Sequence, residues 1–173
     1  MIDPVRYALA GTPAGRLLAG ATADGLCWAA LGDDDDALAA DLLAAYPGTL
    51  RDDACLAPLT DALAASLRGE GDASALPLDV IGTAFQRRVW DALRAIPRGQ
   101  TRTYADVAAS LGLPFTAARA VALAVGANPV ALAIPCHRVV RTDGSPTDFR
   151  WGAGRKRTLL ALEAAPSAQL TLF

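Results

Sequence analysis

The run Ile134-Pro135-Cys136-His137-Arg138-Val139-Val140 places a thiol directly before the only histidine of the chain and two residues before an arginine. The thiolate of cysteine is the nucleophile, and an adjacent base or cation raises its fraction. His137 can serve as that base and Arg138 as the cation. Pro135 interrupts regular backbone pairing, which sets the thiol on an irregular turn. Neighbours in a regular strand point to opposite faces. Cys136 and His137 therefore communicate through a bend or a bridging water. That restriction argues against a papain-like thiol hydrolase, whose histidine lies far from its cysteine in sequence. Taken alone, a cysteine in an apolar segment reads as a small buried hydrophobe; its neighbours turn Cys136 into a candidate nucleophile.

Glu163 reads as a third member. It follows Leu159 by four residues and Leu160 by three, so helical spacing sets it toward an apolar face. An unpaired carboxylate is costly there. His137 would stabilise it, and the carboxylate would in turn orient the imidazole. Without such a partner, Glu163 reads as an exposed helix carboxylate. Metal chemistry has little to build on, because there is one histidine and no Cys-x-x-Cys pair, so no zinc site is expected. The three cysteines, Cys27, Cys55 and Cys136, are odd in number and widely spaced. They read as reduced thiols in a cytoplasmic protein rather than a disulfide framework.

The elements that must position these groups fall into two halves. Residues 1–79 carry 4 basic and 13 acidic side chains, whereas residues 80–173 carry 12 basic and 5 acidic ones. The basic half is the one suited to a polyanion. No apolar run reaches the roughly 18–20 residues of a membrane span, and the N-terminus lacks a secretory pattern. Residues 4–31 read as a β-meander with a tight turn at Asp24-Gly25. Helices are predicted over 37–46, behind the acidic cluster at 33–36, and over 56–68. The stretch 71–82, with Pro77, reads as a linker. The predicted division is 1–78, an α/β domain with its linker, 79–165, a mostly helical domain, and 166–173, a tail.

In the second domain Thr83 can cap a helix over 84–96, with Phe85, Val89, Trp90 and Leu93 on one face. Thr103 can cap the next, with Asp106 three residues on. Gly112-Leu113-Pro114 breaks it, and Thr116 can cap a third helix over 117–125. Two short helices across a tight turn suggest a helix-turn-helix. Residues 130–140 read as extended, Asp143-Gly144-Ser145-Pro146 as a turn, and 155–165 as the last helix.

IPCHRVV, preceded by Ala117-Ala118-Arg119-Ala120-Val121 and Gly126-Ala127-Asn128-Pro129 and followed by Asp143-Gly144 and Arg150-Trp151-Gly152, resembles the methylated-DNA–protein-cysteine methyltransferase family. The likeness is greatest to the C-terminal part of its Ada-type members and extends over most of the chain, including Leu31-Gly32-Asp33-Asp34-Asp35 and Gly82-Thr83-Ala84-Phe85-Gln86. The resemblance implies a ribonuclease H-like N-terminal fold and a monomer without cofactor. It implies a helix-turn-helix that enters the minor groove of double-stranded DNA, with Thr116, Ala118 and Ala122 at the interface. The alkylated base would be flipped out of the duplex, and Arg119 would fill the vacated stack. Tyr104 would push on the neighbouring phosphate, and Asn128 would stand beside the hinge of the reactive segment. Pro135, Val139, Asp148 and Phe149 would join Tyr104 and Asn128 around the base. Glu163, His137, a water and Cys136 would then form a chain for single, irreversible transfer from O6-alkylguanine, or O4-alkylthymine, to sulfur. Hydrogen bonds from Tyr104 and from backbone N–H groups near Val139 would stabilise the departing base.

Two departures stand out. Ada-type sequences have Gly-Tyr where this chain has Asp148-Phe149, which predicts a narrowed or shifted pocket. Their N-terminal methyl-phosphate-sensing cysteine cluster has no counterpart in the sequence. Rival readings are a sensor that binds alkylated DNA without repairing it, which Cys136 argues against, and a transcription regulator. The tail Gln169-Leu170-Thr171-Leu172-Phe173 resembles peptides that dock on the bacterial sliding clamp, its leucine and phenylalanine entering apolar pockets.

Overall fold

The computed structural model describes residues 4–165, which form two compact units. The first comprises residues 4–81 and Pro129–Ala133, the second Gly82–Asn128 and residues 134–165. The division is thus discontinuous, whereas the sequence predicts one cut near 78/79. Pro129–Ala133 groups with the first unit because its backbone pairs there: Ala29 N donates to Pro129 O at 3.0 Å and Ala131 N to Ala29 O at 2.9 Å.

The first unit is built on the predicted meander, β1 (Arg6–Thr12), β2 (Gly15–Ala21) and β3 (Leu26–Gly32). Helix α1 (Asp35–Ala45) follows, capped by Asp34. A two-residue strand, β4 (Leu50–Arg51), then pairs parallel to β1, which makes the sheet mixed, in the order β3-β2-β1-β4. Helix α2 (Asp53–Leu67) is capped by Asp52. Leu17, Leu18, Leu42 and Leu63 are all fully buried; Leu17 and Leu18 are consecutive in β2 and so point to opposite faces of the sheet. The stretch read as a linker is in fact tied to the sheet. Leu26 N donates to Pro77 O and Asp79 N to Leu26 O, both at 2.9 Å. The approach is close enough that a Cβ at Gly25, φ +159°, would stand 2.7 Å from Pro77 O, so a side chain there would push the strand away.

The second unit opens with α3 (Ala84–Arg94), where Thr83 and Gln86 complete a capping box and Val89, Trp90 and Leu93 are buried. Strand β5 (Arg102–Thr103) leads directly into α4 (Tyr104–Ser110), capped by Thr103 and Asp106. The predicted cap at Thr116 does not form. Pro114, φ −69°, commits the chain to a single 3₁₀ turn over Phe115–Ala117 before α5 (Ala118–Gly126), and no side chain caps either start. The segment before α5, taken with it, lies at 119° to α4. Trp90 Nε1 donates to Ala124 O at 2.9 Å, locking α3 to α5.

Residues 130–140 are mostly not extended, contrary to the sequence pattern. Val130 makes an isolated bridge, Cys136–Arg138 is one 3₁₀ turn, and only β6 (Val139–Val140) is strand. Pro135, at φ −78° and ψ 62°, cannot donate to a ladder and turns the chain. Strand β6 pairs parallel with β5, Thr103 opposite Val140, which brings Tyr104 toward the 3₁₀ turn. The last helix, α6 (Ala153–Ala164), buries Lys156, Leu159 and Glu163. No single helix among the described residues is long and apolar enough to cross a membrane. The tail at 166–173 lies outside the described residues.

Candidate functional site

A 3₁₀ helix turns roughly 120° per residue, so Cys136, His137 and Arg138 point three ways from one turn. Cys136, 4% exposed, lines a cavity of about 320 Å³. His137 and Arg138 turn instead to α6. His137 Nε2 lies 2.8 Å from Glu163 Oε1. Arg138 grips both carboxylate oxygens, Nε to Oε2 at 2.9 Å and Nη2 to Oε1 at 2.8 Å. Its Nη1 donates to Ile96 O at 2.6 Å, beyond the end of α3. All three side chains of this clamp are buried, so their charges are mutually compensated or they would not be tolerated.

The electrostatics follow from that packing. Burial pushes the Glu163 carboxyl up, but the hydrogen bonds from His137 and Arg138 and the Arg138 charge hold it down at about 2. It is therefore an acceptor, and the hydrogen between it and His137 sits on Nε2. The imidazole is left neutral, because burial lowers its basicity against the opposing pull of Glu163. Its Nδ1 then carries the lone pair, and that atom is buried with no protein partner among the described residues. Burial raises the Cys136 thiol to about 11, while a hydrogen bond from Asn128 and the charges of Lys156 and Arg150 pull it down. The resting pair is thus a neutral thiol beside a neutral imidazole, not a preformed ion pair.

Cys136 shares the cavity with Tyr104, Asn128, Asp148 and Phe149, four of the residues that the resemblance sets around the base, and with Ala122, which it sets at the DNA interface. Asn128, 1% exposed, also donates to Ile134 O at 2.9 Å and so braces the turn from the other side. Phe149 packs edge-on to Trp151 at 5.2 Å between ring centroids. Burial raises the Tyr104 hydroxyl, which keeps its proton. Arg119, Ala118 and Thr116 lie on or before α5 and are not among the residues around the cavity; Arg119 and Thr116 are exposed. Pro135 and Val139 are buried behind the turn and do not line the cavity either. The Val139 N–H donates to Cys136 O, so it closes the turn rather than facing a base.

Sequence reasoning missed three participants. Arg138 reads there as a nearby positive charge, not as the second partner of Glu163. Lys156 stands in the basic run Arg155-Lys156-Arg157, which reads as surface, yet it is 1% exposed and lines the cavity. Thr147, between a turn and the departures at Asp148-Phe149, links the two sides of the cavity: its Oγ1 is 2.6 Å from Tyr104 OH and accepts from Lys156 Nζ at 2.9 Å. The spacing of Lys156 to Leu159 and Glu163, three and seven residues on, is the one signal that could have placed it on the buried face.

Comparison with known proteins bears on the family of the chain. Residues 84–165 match the family described as 6-O-methylguanine DNA methyltransferase, DNA binding domain. The regulatory protein Ada of Salmonella typhimurium is 46% identical over 162 residues, 92% of this chain and 46% of its own length. The chain thus spans about half of that relative. The methylated-DNA–protein-cysteine methyltransferase of Mycolicibacterium paratuberculosis is 51% identical over 112 residues, 64% of this chain and 67% of its own. The crystal structure of Mycobacterium tuberculosis OGT in complex with DNA superposes with a TM-score of 0.78 at 36% identity, covering 92% of each chain. With the clamp, the buried thiol and these relatives together, the chain belongs to the methylated-DNA–protein-cysteine methyltransferase family.

Proposed function

We propose that the chain repairs DNA directly, moving the alkyl group of O6-alkylguanine to Cys136 once per molecule. The observation that carries this reading is a buried thiol that opens onto a base-sized cavity from the same turn that presents a clamped histidine. Small-molecule pockets begin at about 300 Å³, and a thiol this deep is out of reach of a base stacked in a duplex. The substrate base must therefore leave the stack.

The displacement needs no cofactor. His137 takes the Cys136 proton through a bridging water at Nδ1, and Glu163 supports the imidazolium. The sulfur attacks the alkyl carbon in line, the S–C bond forms as the C–O6 bond breaks, and the electron pair stays on the purine. Tyr104 donates to the departing base. The thioether has no return path. Helices α4 and α5 act as the helix-turn-helix, with Thr116, Ala118 and Ala122 against the backbone and exposed Arg119 in the vacated stack. That a relative was solved with DNA bound supports this partner. Residues 79–165 would hold both DNA binding and transfer, acting as a monomer in the cytoplasm.

Intact mass after incubation with a duplex carrying O6-methylguanine tests the reading. A gain of one methyl group, lost in Cys136→Ala, is expected. No gain on any O6-alkylguanine duplex, with binding retained, would replace repair by lesion sensing. The motif Gln169-Leu170-Thr171-Leu172-Phe173 favours a second partner, the bacterial sliding clamp. Deleting residues 166–173 should abolish clamp binding; a deleted chain that still binds, or a full chain that never does, refutes it.

A further inference from the structure

Lys156 is an expensive residue where it stands. It is 1% exposed, it lies in the first turn of α6, where the helix dipole disfavours a cation, and it makes no salt bridge among the described residues. A leucine or methionine would fill the space without the desolvation cost. Its hydrogen bond goes to the Thr147 hydroxyl at 2.9 Å, and Thr147 is 2.6 Å from the Tyr104 hydroxyl. The three side chains come from α6, the loop after β6 and the start of α4, and all line the Cys136 cavity.

The direction of this chain follows from the donor inventory. An ammonium has only donors, so Thr147 Oγ1 accepts from Lys156. The cation polarises the threonine O–H and makes it the better donor toward Tyr104. The tyrosine oxygen then accepts, and its own hydrogen is free to point into the cavity. Without the lysine, the Tyr104 hydroxyl could equally turn its hydrogen back onto Thr147 and offer the cavity a lone pair.

We propose that Lys156, acting through Thr147, is a positioning residue that holds the Tyr104 hydroxyl as a donor toward the departing base. It rests on the alkyl-transfer reading above. Lys156 keeps its proton throughout. As the bond to O6 breaks and its electron pair moves onto the purine, the fixed donor and the charge behind it meet the negative charge that develops there. Lys156 also lies close enough to affect the Cys136 thiol, so the experiment must separate the leaving base from the nucleophile.

Single-turnover transfer from O6-methylguanine duplex is measured for wild type, Lys156→Met, Lys156→Arg, Thr147→Val and the Lys156→Met/Thr147→Val double variant. Each protein is also treated with iodoacetamide, and alkylation of Cys136 is followed by peptide mass; that reaction uses the same sulfur but expels no base. Lys156→Met and Thr147→Val should each slow transfer about 10- to 100-fold, the range of a hydrogen bond involving charge. The double variant should be no slower than the slower single one, and Lys156→Arg should recover part of the rate. The iodoacetamide rate at Cys136 should hardly change in Thr147→Val and fall far less than transfer in Lys156→Met, which removes one of the cations that favour the thiolate. Wild-type transfer with Thr147→Val, losses that multiply, or an iodoacetamide rate that falls in step would each overturn the relay. Thr147→Val, at a partly exposed loop position, keeps the test decisive if Lys156→Met does not fold. If wild type itself gains no methyl group, the alkyl-transfer reading fails and the relay with it.

Discussion

Cys27 in the first unit and Cys136 in the second are both buried, and burial raises both thiols to about 11. Their surroundings differ in sign. The Cys27 sulfur donates to Gly20 O at 3.4 Å, and the charge of Asp79 raises it further. Cys136 instead has a donor in Asn128 and the cations Lys156 and Arg150, all of which favour the thiolate. Resting acidity therefore does not separate a structural thiol from a reactive one. What separates them is whether the site can hold the anion once the proton has gone.

The largest test of this contrast exchanges the two thiols for alanine. Cys136→Ala should abolish methyl gain from O6-methylguanine duplex, whereas Cys27→Ala should retain it and lose only stability, read by thermal melting. Equal loss of transfer in both would break the comparison.

The second difference is the charged clamp that only the Cys136 turn possesses. Glu163→Ala strands Arg138 and His137 in the interior, and breaking a buried pair this way costs about 3–5 kcal/mol. A fall in chemical-denaturation stability of that size, with transfer slowed at temperatures where the variant is folded, is the expected result. The clamp also sets a pH dependence. Glu163 sits at about 2 against its ordinary 4.5, so its contribution is complete above 4.5 and fades as the pH falls toward 2. His137 is likewise lowered from 6.5, so acid costs stability in the same direction from that pH downward. Melting curves between pH 7 and 3 should show this loss, and Glu163→Gln should flatten its lower part.

Asn128→Ala removes the thiol's hydrogen-bond donor and leaves Ile134 O with one of its two donors, the Cys136 N–H. It should cost about 1–3 kcal/mol of stability and push the Cys136 thiol still higher, toward the Cys27 condition. A pH profile of iodoacetamide alkylation at Cys136 that does not move upward would contradict the assigned role. The smallest effect is expected at Asp148, a carboxylate that lines the cavity. Asp148→Gly should sharpen the contrast by removing negative charge and bulk there, raising transfer from benzyl more than from methyl lesions. Unchanged rates on both would end the narrowed-pocket idea.

Much of the site was legible because chemistry-bearing residues are rare here. A single histidine beside a cysteine, and a glutamate on an apolar helix face, left few alternatives for Cys136, His137 and Glu163. The caps at Thr83 and Thr103 were legible for a local reason: each needs only a residue and its neighbour three positions on. The rest depends on contacts distant in sequence. Strand β4 is two residues long and exists only because β1 is beside it. Residues 77–79 look like a linker until Leu26 pairs with them. The apolar run 130–140 mimics a strand, yet Pro135 and the demands of three diverging side chains make most of it turns. Lys156 hides among arginines, and only its spacing to Leu159 and Glu163 hints that it is inside.

One turn of three residues serves three partners: the cavity, Glu163 and Ile96 O. Such a turn has a phase as well as a composition. Adding or deleting one residue between Pro135 and Val139 would rotate each side chain onto its neighbour's task, roughly 120° away, and no single substitution could restore all three. Length is therefore the invariant of this segment. Libraries that aim to change which alkyl groups are accepted should vary Asp148 and Phe149 freely and leave Thr147 and the count of residues from 135 to 139 untouched.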